Sequence, residues 1–264
     1  MKTGSAWALI LGSSSGFGEA ISLELAAEGY NIFGVHLDRK VTQPKVDSII
    51  NLIKSKNVAV QFFNVNAADD IKRKGVIESI EKTLIATNSA LRILVHSIAF
   101  GTLRPFISDN EKEFISRAQI EMTLDVMANS LIYWVQDIVS KKIMSAGGRV
   151  FAMTSAGSHR VWHDYGAVSA AKSALESYIR QLAVELAPKG ITANAVCAGV
   201  TDTPALRKIP GHEKMIEIAS QRNPSGRMTT PSDAAKAIVA LSHEGTNWIT
   251  GNIINVDGGE DIAG

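Results

Sequence analysis

The stretch LILGSSSGFGEA, residues 9–20, decides how the chain folds. An apolar run, AWALIL at residues 6–11, leads into its glycines, and a run with helical spacing follows them. Glycine permits a tight turn close to a phosphate, and the amides of a following helix point at the anion. In this setting the turn predicts dinucleotide binding, the alternative being a structural turn without a ligand. The predicted contacts are Gly12, Ser14, Ser15, Gly16, Phe17 and Gly18.

Strand-like and helix-like segments alternate from this turn onward. Near-continuous runs of Val, Ile and Ala are typical of strands buried on both faces, and the alternation implies right-handed crossovers. We predict one doubly wound Rossmann-type α/β domain over residues 1–264, with a seven-stranded parallel sheet and helices on both faces. The predicted strands are residues 6–12, 31–37, 58–65, 91–99, 148–155, 191–199 and 251–259.

Two parts of the chain stand apart from this alternation. Residues from about 111 to 144 carry one long helical pattern. Residues from about 200 to 230 combine prolines with charges between two structured segments. Such a segment is often mobile and covers a ligand, although a plain loop has the same composition. We predict that it covers the substrate.

Composition excludes several classes of protein. The 264 residues include 27 basic and 26 acidic ones, for a net charge of +1, so bulk charge predicts neither a nucleic-acid nor a membrane partner. No apolar run reaches the roughly 18 residues of a membrane span. The single cysteine, Cys197, excludes an internal disulfide and favours a reducing, cytoplasmic setting. No cluster has metal-ligand spacing, so no metal is predicted.

The end of the second strand, GVHLDRK, bears on the choice of dinucleotide. An acidic residue here usually binds the adenosine ribose, but His36 occupies that place and Asp38 follows two residues later. Arg39 and Lys40 either hold a 2′-phosphate through charge-assisted hydrogen bonds or form an ordinary solvated charge cluster. The pattern favours NADPH over NADH.

The motifs along the chain resemble those of the short-chain dehydrogenase/reductase superfamily, and they occur in the same order. They are GSSSGFG, Asn64–Val65, LVHSIAFG, Tyr165 with Lys172, NAVCAGVTDT and GNIINVDGG. The resemblance covers essentially the whole chain. Within the superfamily the chain looks most like the divergent bacterial enoyl-acyl-carrier-protein reductases.

Four features carry the narrower resemblance. Six residues separate Tyr165 from Lys172, where ordinary members have three. HSIAFG stands where those members read Asn-Asn-Ala-Gly, and Met127 stands where they place a catalytic asparagine. AFGTLRP followed by AGVTDTPALRK is similar to the divergent branch that keeps a common glycine-rich turn. Position 168, which the ordinary spacing would use, is Val168.

The longer spacing has a chemical use. On a regular helix, seven residues rotate by about 700°, so both side chains share a face about 10.5 Å apart along the axis, against about 6 Å for a spacing of four. If Lys172 holds the nicotinamide ribose, the Tyr165 hydroxyl moves back by up to about 4.5 Å. An enoyl thioester develops charge on an oxygen roughly 2–3 Å beyond that of a ketone. We expect Tyr165 to stabilise this charge and the positive potential of Lys172 to favour its donor role.

The resemblance implies further site residues. Many enoyl reductases have a second tyrosine ten residues before the catalytic one, where this chain has Ser155. Ser155 either hydrogen-bonds the thioester oxygen or caps the strand end. His96 is expected to be a packed strand-end residue. The implied cofactor contacts are Asn64 and Val65 at the adenine, Ser97, Ile98 and Ala99 along the ribose and nicotinamide, and Val200 and Thr203 at the carboxamide and pyrophosphate.

The leading hypothesis is a cytoplasmic enoyl-acyl-carrier-protein reductase that uses NADPH in fatty-acid elongation. The resemblance implies a homotetramer and a substrate carried on acyl carrier protein. Arg207, Lys208 and Lys214 either attract that acidic partner or form a solvated helix face. One alternative is a carbonyl reductase or alcohol dehydrogenase of the same superfamily. Another is a dinucleotide-binding protein without catalysis.

Overall fold

The computed structural model describes residues 6–263 and confirms the predicted architecture. Seven parallel strands form one sheet in the order β3-β2-β1-β4-β5-β6-β7, so the strand order reverses beside β1. The predicted domain also included residues 1–5 and 264, which lie outside the described residues. The strands are β1 Ala6–Leu11, β2 Asn31–His36, β3 Val60–Asn64, β4 Ala90–His96, β5 Met144–Ser155, β6 Thr192–Ala198 and β7 Ile253–Val256.

Helices cover both faces of the sheet, which explains why most strands read as unbroken apolar runs. The helices are α1 Gly16–Ala27, α2 Gln43–Lys54, α3 Asp70–Ala86, α4 Arg117–Leu124, α5 Ser130–Ser140, α6 Gly166–Leu186, α7 His212–Arg222 and α8 Pro231–Leu241. One buried cluster, which includes Trp134 and Phe33, lies under α3, α5 and α6. The other, which includes Phe151 and Ile21, lies under α1, α2 and α8.

The prediction of one helical pattern over residues 111–144 was wrong at both ends. Helix α4 begins only after Ser116, which forms a capping box with Gln119. A π-turn, Asp125–Asn129, joins α4 to α5. Strand β5 begins at Met144 instead of residue 148. The π-turn has i→i+5 hydrogen bonds but keeps the chain helical, so residues 117–140 are helical without interruption.

The segment between residues 200 and 230 is more regular than a loop, because it contains a 3₁₀ turn, Leu206–Lys208, and helix α7. It is fastened to the chain ahead of α6, where the Trp162 indole N–H donates to the Pro210 carbonyl at 3.1 Å. Among the described residues, no helix is long and apolar enough to cross a membrane.

Candidate active site

The glycine-rich turn has the shape of a phosphate cradle. A Cβ at Gly12 would lie 2.2 Å from the Ser97 carbonyl oxygen, and one at Gly18 would lie 2.0 Å from the Gly12 carbonyl oxygen. Gly12 also has φ +91°, which side-chain-bearing residues rarely adopt. Ser15 precedes α1 without a side-chain capping bond, so the first amides of the helix are left for an anion. These features fit the pyrophosphate of a dinucleotide.

The segment after β6 meets this turn from the other side. A Cβ at Gly16 would lie 3.3 Å from Cγ2 of Thr203, whose side chain is buried there. The backbone N–H of Val200 donates to the Glu260 carboxylate at 3.2 and 3.3 Å. The Val200 amide is therefore engaged within the protein, and the cofactor contact predicted for this residue stays a prediction.

The adenosine end is organised around Asp38. Its carboxylate lies 3.0 Å from His36 Nδ1 and accepts a hydrogen bond from Thr42 at 2.8 Å. Although burial opposes the shift, hydrogen bonds from Ser14, Thr42 and His36 hold the pKa of Asp38 below its usual value. The Asn64 side chain bonds the Asp38 backbone in both directions, at 3.0 and 2.9 Å. These bonds place Asp38 beside the glycine-rich turn.

The remaining predicted cofactor contacts lie along the same edge of the sheet. The Ser97 amide donates to the Leu11 carbonyl at 2.8 Å, which extends the pairing of β4 with β1 beyond the strands. The Val65 amide donates to the His36 carbonyl at 2.8 Å in the same way. Ala99 and Arg39 are exposed, and within residues 6–263 the Arg39 side chain has no ion pair. Parallel strands thus bring these residues to one edge, where the cofactor contacts remain predictions.

Lys172 is buried in helix α6 and turns toward the sheet. Its ammonium donates to the Met153 carbonyl at 2.7 Å and lies 3.5 Å from the Ile98 carbonyl. Burial lowers the pKa of Lys172 to about 8, although the nearby Glu176 carboxylate opposes this shift. Glu176, four residues further along the helix, accepts a 2.6 Å hydrogen bond from Thr154.

Tyr165 does not lie on the same regular helix as Lys172, which corrects the assumption behind the estimated 10.5 Å spacing. Helix α6 begins at Gly166, and Tyr165 is its N-cap residue with φ −94° and ψ 0°. Burial raises the pKa of the Tyr165 phenol, and the Ser155 hydroxyl offsets part of the rise. The phenol is therefore protonated and able to donate at neutral pH.

The structure shows no effect of Lys172 on the pKa of the Tyr165 phenol, contrary to the expectation from the sequence. The ammonium is directed at the Met153 and Ile98 carbonyls, and the pKa of Tyr165 responds to burial and to Ser155.

Ser155 ends strand β5 directly beside Tyr165. Its hydroxyl is buried and makes no capping bond; within residues 6–263 it lies close enough to the Tyr165 phenol to lower its pKa, but it makes no hydrogen bond of good geometry. A Cβ at Gly157 would lie 3.2 Å from this hydroxyl and 2.6 Å from Cε1 of Tyr165. The serine and the tyrosine ring thus converge on the space that Gly157 leaves open. An unpaired hydroxyl at this point favours a bond to a substrate oxygen over the capping role.

His96 and Met127 are two further buried residues among those considered for the site. Ser130 donates to the Val126 carbonyl at 2.9 Å and therefore accepts from Nε2 of His96, also at 2.9 Å. Burial lowers the pKa of His96 to about 3, and the charge of Lys172 adds to the effect. His96 is thus a neutral, packed residue. Met127 is buried in the π-turn, so an apolar side chain stands where a catalytic asparagine would be polar.

Several residues that contribute to the site were not predicted from the sequence. Gly157 sets the space for the phenol, and Phe106 lies over the start of α6, where a Cβ at Gly166 would meet its ring at 2.6 Å. Glu176 had a readable signal, because a residue four positions from a buried helical lysine shares its face. The other two depend on backbone geometry that a sequence does not display.

Comparison with known proteins assigns the family. The sequence model described as enoyl-(acyl carrier protein) reductase matches residues 12–260. The chain belongs to this family. It is a branch of the short-chain dehydrogenase/reductase superfamily, and the protein is an oxidoreductase with an NAD(P)-binding fold.

The proteins that this chain is similar to have names that indicate different substrates. The crystal structure of the Aquifex aeolicus enoyl-(acyl-carrier-protein) reductase (NADH) superposes with a TM-score of 0.85 at 26% identity, covering 100% of this chain and 98% of the other. The curated Aquifex aeolicus FabI sequence is 29% identical over 74% of this chain and 71% of its own length. An Arabidopsis thaliana chloroplastic NADPH-dependent aldehyde reductase-like protein is 27% identical over 96% of this chain and 93% of its own length.

Proposed function

We propose that this family member is an NADPH-dependent enoyl-acyl-carrier-protein reductase that reduces the trans-2 double bond of enoyl thioesters. The observation that carries the proposal is the position of Tyr165, one residue ahead of helix α6 and seven residues before Lys172. Val168, at the ordinary tyrosine position, is buried in the helix. The phenol therefore approaches the substrate from further back than the spacing of four allows.

The chain's own groups suit the charge that this reaction develops. The bound nicotinamide would supply the hydride to the β-carbon of the substrate. Negative charge then builds on the thioester oxygen, where a protonated Tyr165 donates a hydrogen bond and stabilises the enolate. The unpaired Ser155 hydroxyl offers a second donor to the same oxygen. Lys172 would release the Met153 carbonyl to bind the ribose hydroxyls.

The entrance to the site suits an acyl chain. Phe100 and Phe106 are large apolar side chains that remain exposed, and Phe106 lies over the residue that follows Tyr165. An acyl chain that covers these rings would remove apolar surface from water at roughly 25 cal/mol per Å². The Trp162 bond to Pro210 holds the covering segment at the same entrance.

The assembly and partners are part of the same proposal. We propose a cytoplasmic homotetramer that receives its substrate on acyl carrier protein, as the family resemblance implies. Arg207 is paired with Asp202 at 2.7 Å, so Lys208 and Lys214 are the more available charges for an acidic carrier. These two side chains are exposed on the covering segment. Salt-dependent association with the carrier would support this part of the proposal.

The direct test follows oxidation of NADPH with crotonyl thioester as substrate, beside a 3-ketoacyl thioester and a simple aldehyde. The proposal expects the enoyl thioester to be the best substrate by at least about tenfold. Carbonyl reduction is the second candidate, and it is favoured by the similarity to a relative named as an NADPH-dependent aldehyde reductase-like protein. Faster turnover of the ketone or aldehyde would replace the proposal with that candidate. Tight binding of NADPH without any turnover would indicate a protein that binds the dinucleotide only.

Cofactor choice makes a separate prediction. Replacing Arg39 with alanine is expected to weaken NADPH binding about tenfold, since a hydrogen bond to a charged group contributes about 1.5–3 kcal/mol and this one is exposed to water. NADH has no 2′-phosphate and should bind unchanged. Nicotinamide fluorescence titrations measure both, with Lys54→Ala on α2 as the control. An equal effect of Arg39→Ala on the two cofactors would mean that Arg39 does not read the 2′-phosphate.

A further inference from the structure

The residue immediately before Tyr165 has an unusual backbone. Asp164 has φ +62°, in the left-handed region that favours glycine. Asn57, Asn88 and Lys142 also have positive φ, with values of 59°, 48° and 54°. Those three follow the ends of α2, α3 and α5, where a left-handed residue commonly terminates a helix. Asp164 instead stands two residues ahead of a helix, so helix termination does not explain it.

The left-handed residue belongs to a tight turn. The Tyr165 amide donates to the Trp162 carbonyl at 3.2 Å, which closes a turn over residues 162–165. Asp164 is the third residue of this turn, the position at which type II turns take a positive φ. Tyr165 is the last residue of this turn and the N-cap of α6, outside the first turn of the helix.

The side chain of Asp164 does little to stabilise this conformation. One carboxylate oxygen lies 3.0 Å from Nδ1 of the largely exposed His163. The other is buried and has no hydrogen-bond partner within residues 6–263. A strained backbone whose side chain brings no compensating bonds is more often retained for function than for stability. The role of the residue is therefore its backbone conformation.

Both neighbours of the turn belong to the substrate site. At its start, the Trp162 indole is bonded to Pro210 of the covering segment. At its end, the Tyr165 ring fits against Gly157, where even a Cβ would come within 2.6 Å of the ring. The position of the Tyr165 phenol is thus fixed by the turn on one side and by Gly157 on the other. A change of φ at residue 164 moves the ring against a backbone that leaves it no space.

We propose that Asp164 is a positioning residue whose left-handed backbone places the Tyr165 hydroxyl where a conjugated thioester needs it. This inference rests on the proposed function. The conformation keeps Tyr165 outside the helix and so turns a longer spacing into a displaced proton donor. Its effect is on the substrate reaction, and the cofactor cradle around Gly12 is independent of it.

The test compares substitutions that accept a positive φ with substitutions that resist it. Asp164→Gly and Asp164→Asn are expected to keep kcat for crotonyl thioester within about threefold of the wild type. Asp164→Ala should lower kcat about tenfold, and Asp164→Val about a hundredfold, because β-branched residues tolerate this region least. NADPH affinity, followed by nicotinamide fluorescence, should be unchanged in all four variants.

A matched control separates positioning from stability. Asn57→Ala replaces a residue that has a similar φ of 59° and lies between α2 and β3. It should lower the midpoint of thermal unfolding as much as Asp164→Ala but leave kcat unchanged. Equal activity of Asp164→Ala and Asp164→Gly would overturn the inference, and so would a loss in Asp164→Gly as large as that in Asp164→Ala.

The failure of the proposed function has a different signature from the failure of this inference. Absence of enoyl-thioester turnover in the wild type, with turnover of a ketone, would contradict the proposed function before any variant is compared. Turnover in the wild type with no difference between the glycine and alanine variants would contradict only the role of Asp164. In both tests, thermal unfolding of the variants is measured without substrate.

Discussion

Replacing Tyr165 with phenylalanine is expected to lower kcat for crotonyl thioester by about 10²- to 10³-fold, the usual effect of removing one donor to a developing oxyanion. The ring of phenylalanine fills the same space against Gly157, so the loss is confined to the hydroxyl. NADPH affinity should change by less than about twofold, because the phosphate cradle lies at a different turn. Initial rates at saturating NADPH, with fluorescence titration of the cofactor, give both quantities.

Tyr178→Phe is the matched control for this variant. Tyr178 lies on the same helix, and its hydroxyl donates to Asn129 at 2.9 Å, outside the group that converges on Gly157. Its loss should reduce the free energy of unfolding by about 1 kcal/mol and leave kcat unchanged. If Tyr165→Phe retained more than about a third of wild-type kcat, the phenol would not be the donor. Ser155 would then be the next residue to test.

The fold could be predicted because its signals are local and repeated. The run AWALIL, the glycines that follow it and the helical spacing after Gly18 establish the first strand, turn and helix in that order. The apolar runs of later strands have no polar alternation, which requires helices on both faces. Each of these signals acts within a few residues.

The site could be predicted only to the level of residue type. The spacing of Tyr165 and Lys172 indicated a pair, but the first helical residue is Gly166, and the conformation of Asp164 depends on the whole turn from Trp162. The direction of the Lys172 ammonium depends on one carbonyl from strand β5 and one from the loop that follows β4. A spacing specifies rotation along one helix, and it does not specify where that helix begins or which long-range acceptors are near. Those features come from tertiary contacts.

Replacing Lys172 with methionine is expected to separate activity from stability. The activity of the Lys172→Met variant should fall by about 10²-fold or more, because it lacks the charge that would bind the ribose hydroxyls and fix the nicotinamide. Its stability should not fall in parallel. The folded protein keeps this ammonium in a buried site, where its pKa is about 8 instead of 10.5. Such a shift corresponds to about 3 kcal/mol of unfavourable free energy while the lysine stays charged.

The pH dependence of the unfolding free energy measures this unfavourable contribution of Lys172 directly. The folded pKa of Lys172, about 8, lies below the unfolded value of 10.5, so between these values the unfolded chain binds more protons. The contribution of Lys172 to the unfolding free energy of the wild type should therefore rise by up to about 3 kcal/mol from pH 8 to pH 10.5, and Lys172→Met should lack this rise. Over the same range wild-type kcat/KM should decline as the lysine loses its charge. Urea unfolding at pH 7.5 and pH 10, with Lys236→Met as the exposed control, measures the first effect. An identical pH dependence of stability in the wild type and Lys172→Met would contradict the buried charge. The protein thus retains at neutral pH a charged, buried lysine that is unfavourable for folding, and the proposed binding of the cofactor ribose would explain why it is retained.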